Sequence, residues 1–173
     1  MAIREIIFIP DPVLRRKAHK VTDFGKDFQT LVDDMIETLR DAPGVGLAAP
    51  QVNVSSRLIV VEYAEEDEDG NQEKPKKLYV VANPEIVKAS NETEIGTEAC
   101  LSVPGLVGDV ERFTQIVIRG ENRHGKSQRI KASGWMARIF QHEIDHVNGV
   151  IFTDLAVRVW KPKADEESIL LAD

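Results

Sequence analysis

The chain has 173 residues, enough for one domain with a single sizeable core. Apolar residues make up 42% and charged residues 29%, the mix of a globular chain rather than a disordered one. A net charge of -7 and a pI near 5.2 leave no general electrostatic reason to hold DNA or RNA, whose phosphates need a basic face. No apolar run approaches the roughly 20 residues of a membrane helix. The run at 6–9 follows Arg4 and Glu5, is stopped by Pro10, and lacks the form of a signal peptide. With one cysteine, Cys100, no intrachain disulfide can form. These features predict a cytoplasmic protein without membrane attachment.

In chain order, Phe28, Leu31, Val32, Met35, Ile36 and Leu39 recur with helical spacing and predict an amphipathic helix closed by Pro43 and Gly44. The β-branched runs 58–61 and 78–81 read as strands. The charged stretch 65–71 between them, followed by Lys74, Lys76 and Lys77, reads as a solvated hairpin tip and lacks the spacing of a calcium loop. Residues 115–119 and 128–131 flank a turn at 122–125, in which His124 reads as a turn residue. A second helix is expected over 135–148, with Ser133 as its cap and Gly149 at its C-terminal end. There is no internal repeat. The predicted class is α+β: mostly antiparallel strands, one early helix and one late helix, in a single domain over 1–173 with a short polar tail from about 161.

The late helix holds His142-Glu143-Ile144-Asp145-His146. Histidines at i and i+4 leave one helical face, so both imidazoles can reach one ion, with Glu143 placed to hold a water without being a ligand. A surface helix with two solvated histidines is the plain alternative. Two third ligands compete. Cys100 would complete a thiolate–imidazole set for a borderline divalent ion with one open position. Glu166 has the separation seen in thermolysin-like metalloproteases, but lies in a polar segment near the chain end. Residues 44–51, Gly-Val-Gly-Leu-Ala-Ala-Pro-Gln, follow the first helix. Gly46 would let a substrate backbone approach, and the Gln51 amide could donate to an oxyanion.

Together these segments resemble the peptide deformylase family, which carries a glycine loop ending Ala-Ala-Pro-Gln, a Glu-Gly-Cys-Leu-Ser segment and a Gln-His-Glu-x-Asp-His helix. Residues 44–51, 98–102 and 141–146 match in the same order, and so do Asp11-Pro12-Val13-Leu14 and Asn148-Gly149. The resemblance spans roughly 6–154. One position departs: Ala99 stands where the family usually has glycine. If that position needs a positive φ, alanine costs roughly 1 kcal/mol; if it needs only a small side chain, the change is nearly silent.

The resemblance implies a deformylase-like fold and hydrolytic removal of the formyl group from N-formylmethionyl nascent polypeptides. It implies that Cys100, His142 and His146 bind one divalent ion, natively Fe2+, with Zn2+, Ni2+ or Co2+ able to substitute. Glu143 would then move the proton, and the Gln51 side chain and Leu101 backbone N–H would hold the oxyanion. Backbone contacts at Gly44 and Gly46 would tolerate any downstream sequence. Val45, Trp135 and Ile139 are expected to wall a methionine pocket, although plain core is an open alternative for the last two. Glu98 and Arg112 also match family positions and read either as a brace for the cysteine loop or as a surface ion pair. A small zinc endopeptidase using Glu166 and a non-catalytic metal-binding module are the competing functions; the presence of Glu143 and Gln51 argues against the second. Arg158, Lys161 and Lys163 form a short basic cluster, read as a transient ribosome contact or as a solvated tail.

Overall fold

A computed structural model describes residues 1–65 and 74–163. Most of the charged segment at 65–71, the polar tail beyond 163 and Glu166 therefore lie outside the described residues. Helix α1 is Lys26–Asp41, α2 is Gly134–Val147 and a single-turn α3 is Phe152–Leu155. Eight strands are described: β1 Gly46–Ala48, β2 Leu58–Tyr63, β3 Lys77–Ala89, β4 Thr93–Ala99, β5 Val107–Phe113, β6 Gln115–Glu121, β7 Ser127–Ser133 and β8 Arg158–Trp160. They form a five-stranded sheet in the order β1-β2-β3-β6-β7 and a three-stranded sheet in the order β4-β5-β8. Every pairing between them is antiparallel. The expected α+β class holds.

Strand β2 shows why residues 58–61 are an unbroken apolar run. Successive side chains leave opposite faces of a strand, and both faces of this one are covered. Ile59 and Val61 pack with Val81, Ile118, Phe140 and Ile144 under α2. Leu58 and Val60 pack with Val32, Met35 and Leu39 of α1. Each such side chain contributes on the order of 1.5–3 kcal/mol by leaving water. The five-stranded sheet is thus a rigid plate between two helices, with α2 on the side facing the smaller sheet.

Several elements differ from expectation in extent. Strand β3 runs far beyond 78–81, because its register shifts between Ala82 and Glu85 and again between Ile86 and Lys88. Asn83, at φ 52°, bends the strand there and hides its period. Strands β1, β4, β5 and β8 were not foreseen, β1 lying in the glycine loop. Ser133 occupies the N-cap position of α2 but makes no capping hydrogen bond through its side chain. The turn at 122–125 forms as expected, with the Asn122 side chain accepting from the backbone N–H groups of His124 and Lys126.

The Asp11-Pro12-Val13-Leu14 segment forms a 3₁₀ turn over Pro12–Arg15, its first turn closed by Asp11 accepting from the Val13 N–H at 3.0 Å. Val13 and Leu14 enter a third core with Val103, Val110, Ile151 and Phe152, beneath the smaller sheet. Gly149 ends the α2 segment at φ 77°, and a Cβ there would stand 2.6 Å from the Arg15 carbonyl oxygen. Both the left-handed backbone and this close approach exclude a side chain. Gly149→Ala should therefore lower stability by about 1–3 kcal/mol, read as a lower urea midpoint at unchanged slope. An unchanged midpoint would contradict the packing described for this corner.

Candidate metal centre

Helix α2 and the end of β4 bring three donors together. His142 and His146 lie one turn apart, with ring centroids 5.0 Å from each other. Cys100, directly after β4, places Sγ 3.3 Å from His146 Nε2. One donor atom from each of Cys100, His142 and His146 lies within 4.8 Å of the others, the only such cluster found among the described residues. The two elements meet because α2 is pinned between the two sheets.

Glu98 governs the first histidine. Its Oε1 accepts from His142 Nδ1 at 2.8 Å, which leaves Nε2 of that ring for the cluster. Arg112 clasps both Glu98 oxygens, Nη2 to Oε1 at 2.8 Å and Nε to Oε2 at 2.9 Å. Arg138 Nη1 donates to Oε2 at 2.8 Å. The pair Glu98–Arg112, one of whose two readings was a surface ion pair, is buried on both sides. Burial by itself would raise the Glu98 pKa, but the hydrogen bonds from Arg112 and His142 hold it at about 2. Arg112 also pairs with Asp145 on α2. His142 stacks against Phe152, which fixes its ring from a second side.

The charges suit a cation. Burial opposes a proton on His142, yet Cys100 and Glu98 raise its pKa well above the ordinary histidine value. Burial, aided by the charges of His142 and Arg112, lowers that of His146 well below it. The cluster therefore draws positive charge while offering a neutral imidazole and a sulfur, the donor set of a borderline divalent ion. Glu143 lies beside it, buried, with no partner for Oε2. Burial pushes its carboxyl up to about 7.

A cleft of about 690 Å³, counting its open mouth, borders the cluster. Among the expected site residues, Gly44, Val45, Gly46, Gln51, Cys100, Leu101, Trp135, Ile139, His142 and Glu143 all line it, and His146 closes the cluster from behind. Gln51 is oriented by its own loop. Its Oε1 accepts from the Ala48 N–H at 2.9 Å, so the NH2 turns towards Ser102 Oγ at 3.1 Å and Cys100 Sγ at 3.6 Å. Gly46 is required by close approach, since a Cβ would meet the Glu143 carboxylate at 2.6 Å. Trp135 is 36% exposed at the rim, while Ile139 belongs both to the cleft wall and to the core under α2.

The sequence model of the Polypeptide deformylase family matches residues 3–161. The chain belongs to the peptide deformylase family. The peptide deformylase of Symbiobacterium thermophilum is 49% identical over 167 residues, 96% of this chain and 73% of that protein. The crystal structure of the peptide deformylase from Thermotoga maritima matches with a TM-score of 0.81 at 37% identity, covering 91% of this chain and 100% of that one. The Met-Ala-Ser-bound class I type b peptide deformylase from Acinetobacter baumannii matches with a TM-score of 0.81 at 32% identity, covering 89% and 98%. Deformylases are metalloenzymes, and the Cys100–His142–His146 cluster is the candidate site here.

Ala99 is the last residue of β4, paired with Val107, and it has no positive φ. Of the two possibilities left by the sequence, the positive-φ one, with its strain on alanine, does not apply. Arg138 is the residue that sequence reasoning missed in this deformylase. The available signal was an arginine one helical turn before His142, on the face that carries the histidines.

Cys100→Ala should lose bound metal and activity together, whereas Glu166→Ala should keep both. Metal content after gel filtration reads the outcome. Full metal content in Cys100→Ala, or its loss in Glu166→Ala, would reverse the assignment.

Proposed function

We propose that Cys100, His142 and His146 hold one divalent ion and that Glu143 moves the proton, as this chain hydrolyses the N-formyl group from the terminal methionine of newly made polypeptides. The observation that carries the reading is the meeting of those three donors beside buried Glu143, whose Oε2 has no partner. When bound, the ion supplies a Lewis acid that lowers the pKa of water to roughly 7. Glu143 accepts the proton as the water oxygen bonds to the formyl carbon, then returns it to the leaving nitrogen as the C–N bond breaks. Formate and a free α-amine result. The Gln51 NH2, held facing the cluster, donates to the oxyanion of the intermediate, joined by the Leu101 N–H.

Substrate selection follows from the walls. Strand β1 is an edge of the larger sheet and β4 an edge of the smaller, and both border the cleft. An extended peptide lying between them would be held through main-chain contacts to the two edges, so recognition is independent of downstream sequence. Gly44 and Gly46 leave room for its main chain. Val45, Trp135 and Ile139 enclose the methionine side chain, in keeping with the Met-Ala-Ser complex of the Acinetobacter baumannii relative. A formyl cap is the smallest acyl group, and the space between Gly46, Glu143 and Cys100 suits it better than acetyl.

Fe2+ is the native ion in this reading on the resemblance to the family alone, since a thiolate and two imidazoles accept Zn2+, Ni2+ and Co2+ as well. Among the described residues no helix is long and apolar enough to cross a membrane. We place the enzyme in the cytoplasm, where its substrates emerge. Arg158, Lys161 and Lys163, exposed at and after β8, are the basic residues that a transient ribosome contact would use.

Glu143→Gln should retain the metal and lose about 10²–10⁴-fold in kcat, measured by formate release from a formyl-Met peptide. The parent enzyme should leave the acetyl-Met counterpart nearly untouched. Parent-level turnover by Glu143→Gln would remove Glu143 from the mechanism.

A further inference from the structure

Arg138 is a buried cation inside a chain of negative net charge, and its bonds reach three parts of the site. Nη1 donates to Glu98 Oε2 at 2.8 Å and to the Val110 carbonyl at 2.7 Å, with a longer bond to the Gly96 carbonyl at 3.4 Å. Nη2 donates to the Glu94 carbonyl at 2.8 Å. Its guanidinium carbon lies 5.8 Å from the centre of the Trp135 ring, at the cleft rim. Gly96 makes room for this packing, since a Cβ there would stand 2.8 Å from that carbon.

We propose that Arg138 is a positioning residue that couples the two halves of the reaction site. Through Glu98 it holds His142 with Nε2 turned to the ligand cluster. Through the carbonyls of Glu94 and Gly96 it holds β4 at the spacing from the glycine loop that an extended substrate needs. Arginine alone can do both, because its planar fork addresses a carboxylate and several carbonyls at once. The inference rests on the metal reading of Cys100, His142 and His146.

The test uses metal-stripped full-length protein titrated with Co2+, with the thiolate charge-transfer absorption as readout. Wild type, Arg138→Met, Arg138→Lys, Glu98→Gln and the double variant Glu98→Gln/Arg138→Met are compared. Arg138→Met should weaken Co2+ binding about tenfold, the low end for groups that support a ligand, and Arg138→Lys should recover part of it. Added to Glu98→Gln, Arg138→Met should cost no further affinity, because its effect passes through that carboxylate. In the cobalt-loaded enzyme, Arg138→Met should raise KM for a formyl-Met peptide more than it lowers kcat. Gly96→Ala displaces the guanidinium without removing a buried charge and should shift affinity in the same direction, which covers the case in which Arg138→Met does not fold. Unchanged Co2+ affinity in the folded Arg138 and Gly96 variants, or effects that simply multiply with Glu98→Gln, would overturn the proposal. A wild type that binds no Co2+ would instead overturn the metal reading itself.

Discussion

Glu98 carries its charge in a place almost closed to water, 5% exposed, and every lone-pair direction that matters is taken. Oε1 is shared by Arg112 and His142, and Oε2 by Arg112 and Arg138. Taking such a charge out of water costs several kcal/mol, and the attraction of its neighbours offsets that only when the geometry is complete. Two carboxylates, the buried Glu98 and the half-buried Asp145, face two buried guanidiniums, Arg112 and Arg138. Removing a buried member, Glu98, Arg112 or Arg138, leaves a buried charge uncompensated, at a cost of about 3–5 kcal/mol. What the arrangement secures is orientation. A histidine ring backed by a carboxylate has one tautomer and one direction to offer.

The rest of the molecule can be understood as the support for that constellation. Glu98 sits near the end of β4, so its position also sets Cys100 two residues on. His142, Glu143 and His146 share α2, which is clamped between the apolar face of the larger sheet and the strands of the smaller one. Gly46 lies opposite Glu143 with no room for a side chain, and Gln51 is turned by the Ala48 N–H. A cleft bounded by two sheet edges and floored by one helix therefore comes with its polar groups already aimed. Such groups need no reorganisation as charge develops, the condition under which they lower a barrier most.

Much of this was legible from residue spacing. The i, i+4 histidines placed the late helix and its ligand face, the β-branched run 58–61 marked a strand, and Gly149 marked the helix end. Residue chemistry made Cys100, the glycine loop and Gln51 candidates, but only the resemblance to a known family joined them to one site, since nothing in one segment says which distant segment it will meet. Strand β4 escaped notice because Thr-Glu-Ile-Gly-Thr-Glu-Ala has no apolar face, and its buried side chain is a charged one, Glu98. Arg138 escaped for the same reason. Hydrophobic patterning identifies core, whereas a buried ionic set shows itself only once the partners are in place. The consequence of Ala99 depended on a backbone angle that no side-chain pattern encodes.

The claim at the centre is that Glu98 fixes which nitrogen of His142 faces the ion. Nitrogen-15 NMR of the zinc-loaded protein, with labelled histidine, reads this directly. His142 Nε2 should show the shift of a metal-bound nitrogen, while Nδ1 keeps its proton in a hydrogen bond to a carboxylate. A metal-bound Nδ1, or an Nδ1 proton that exchanges freely with water, would contradict the account.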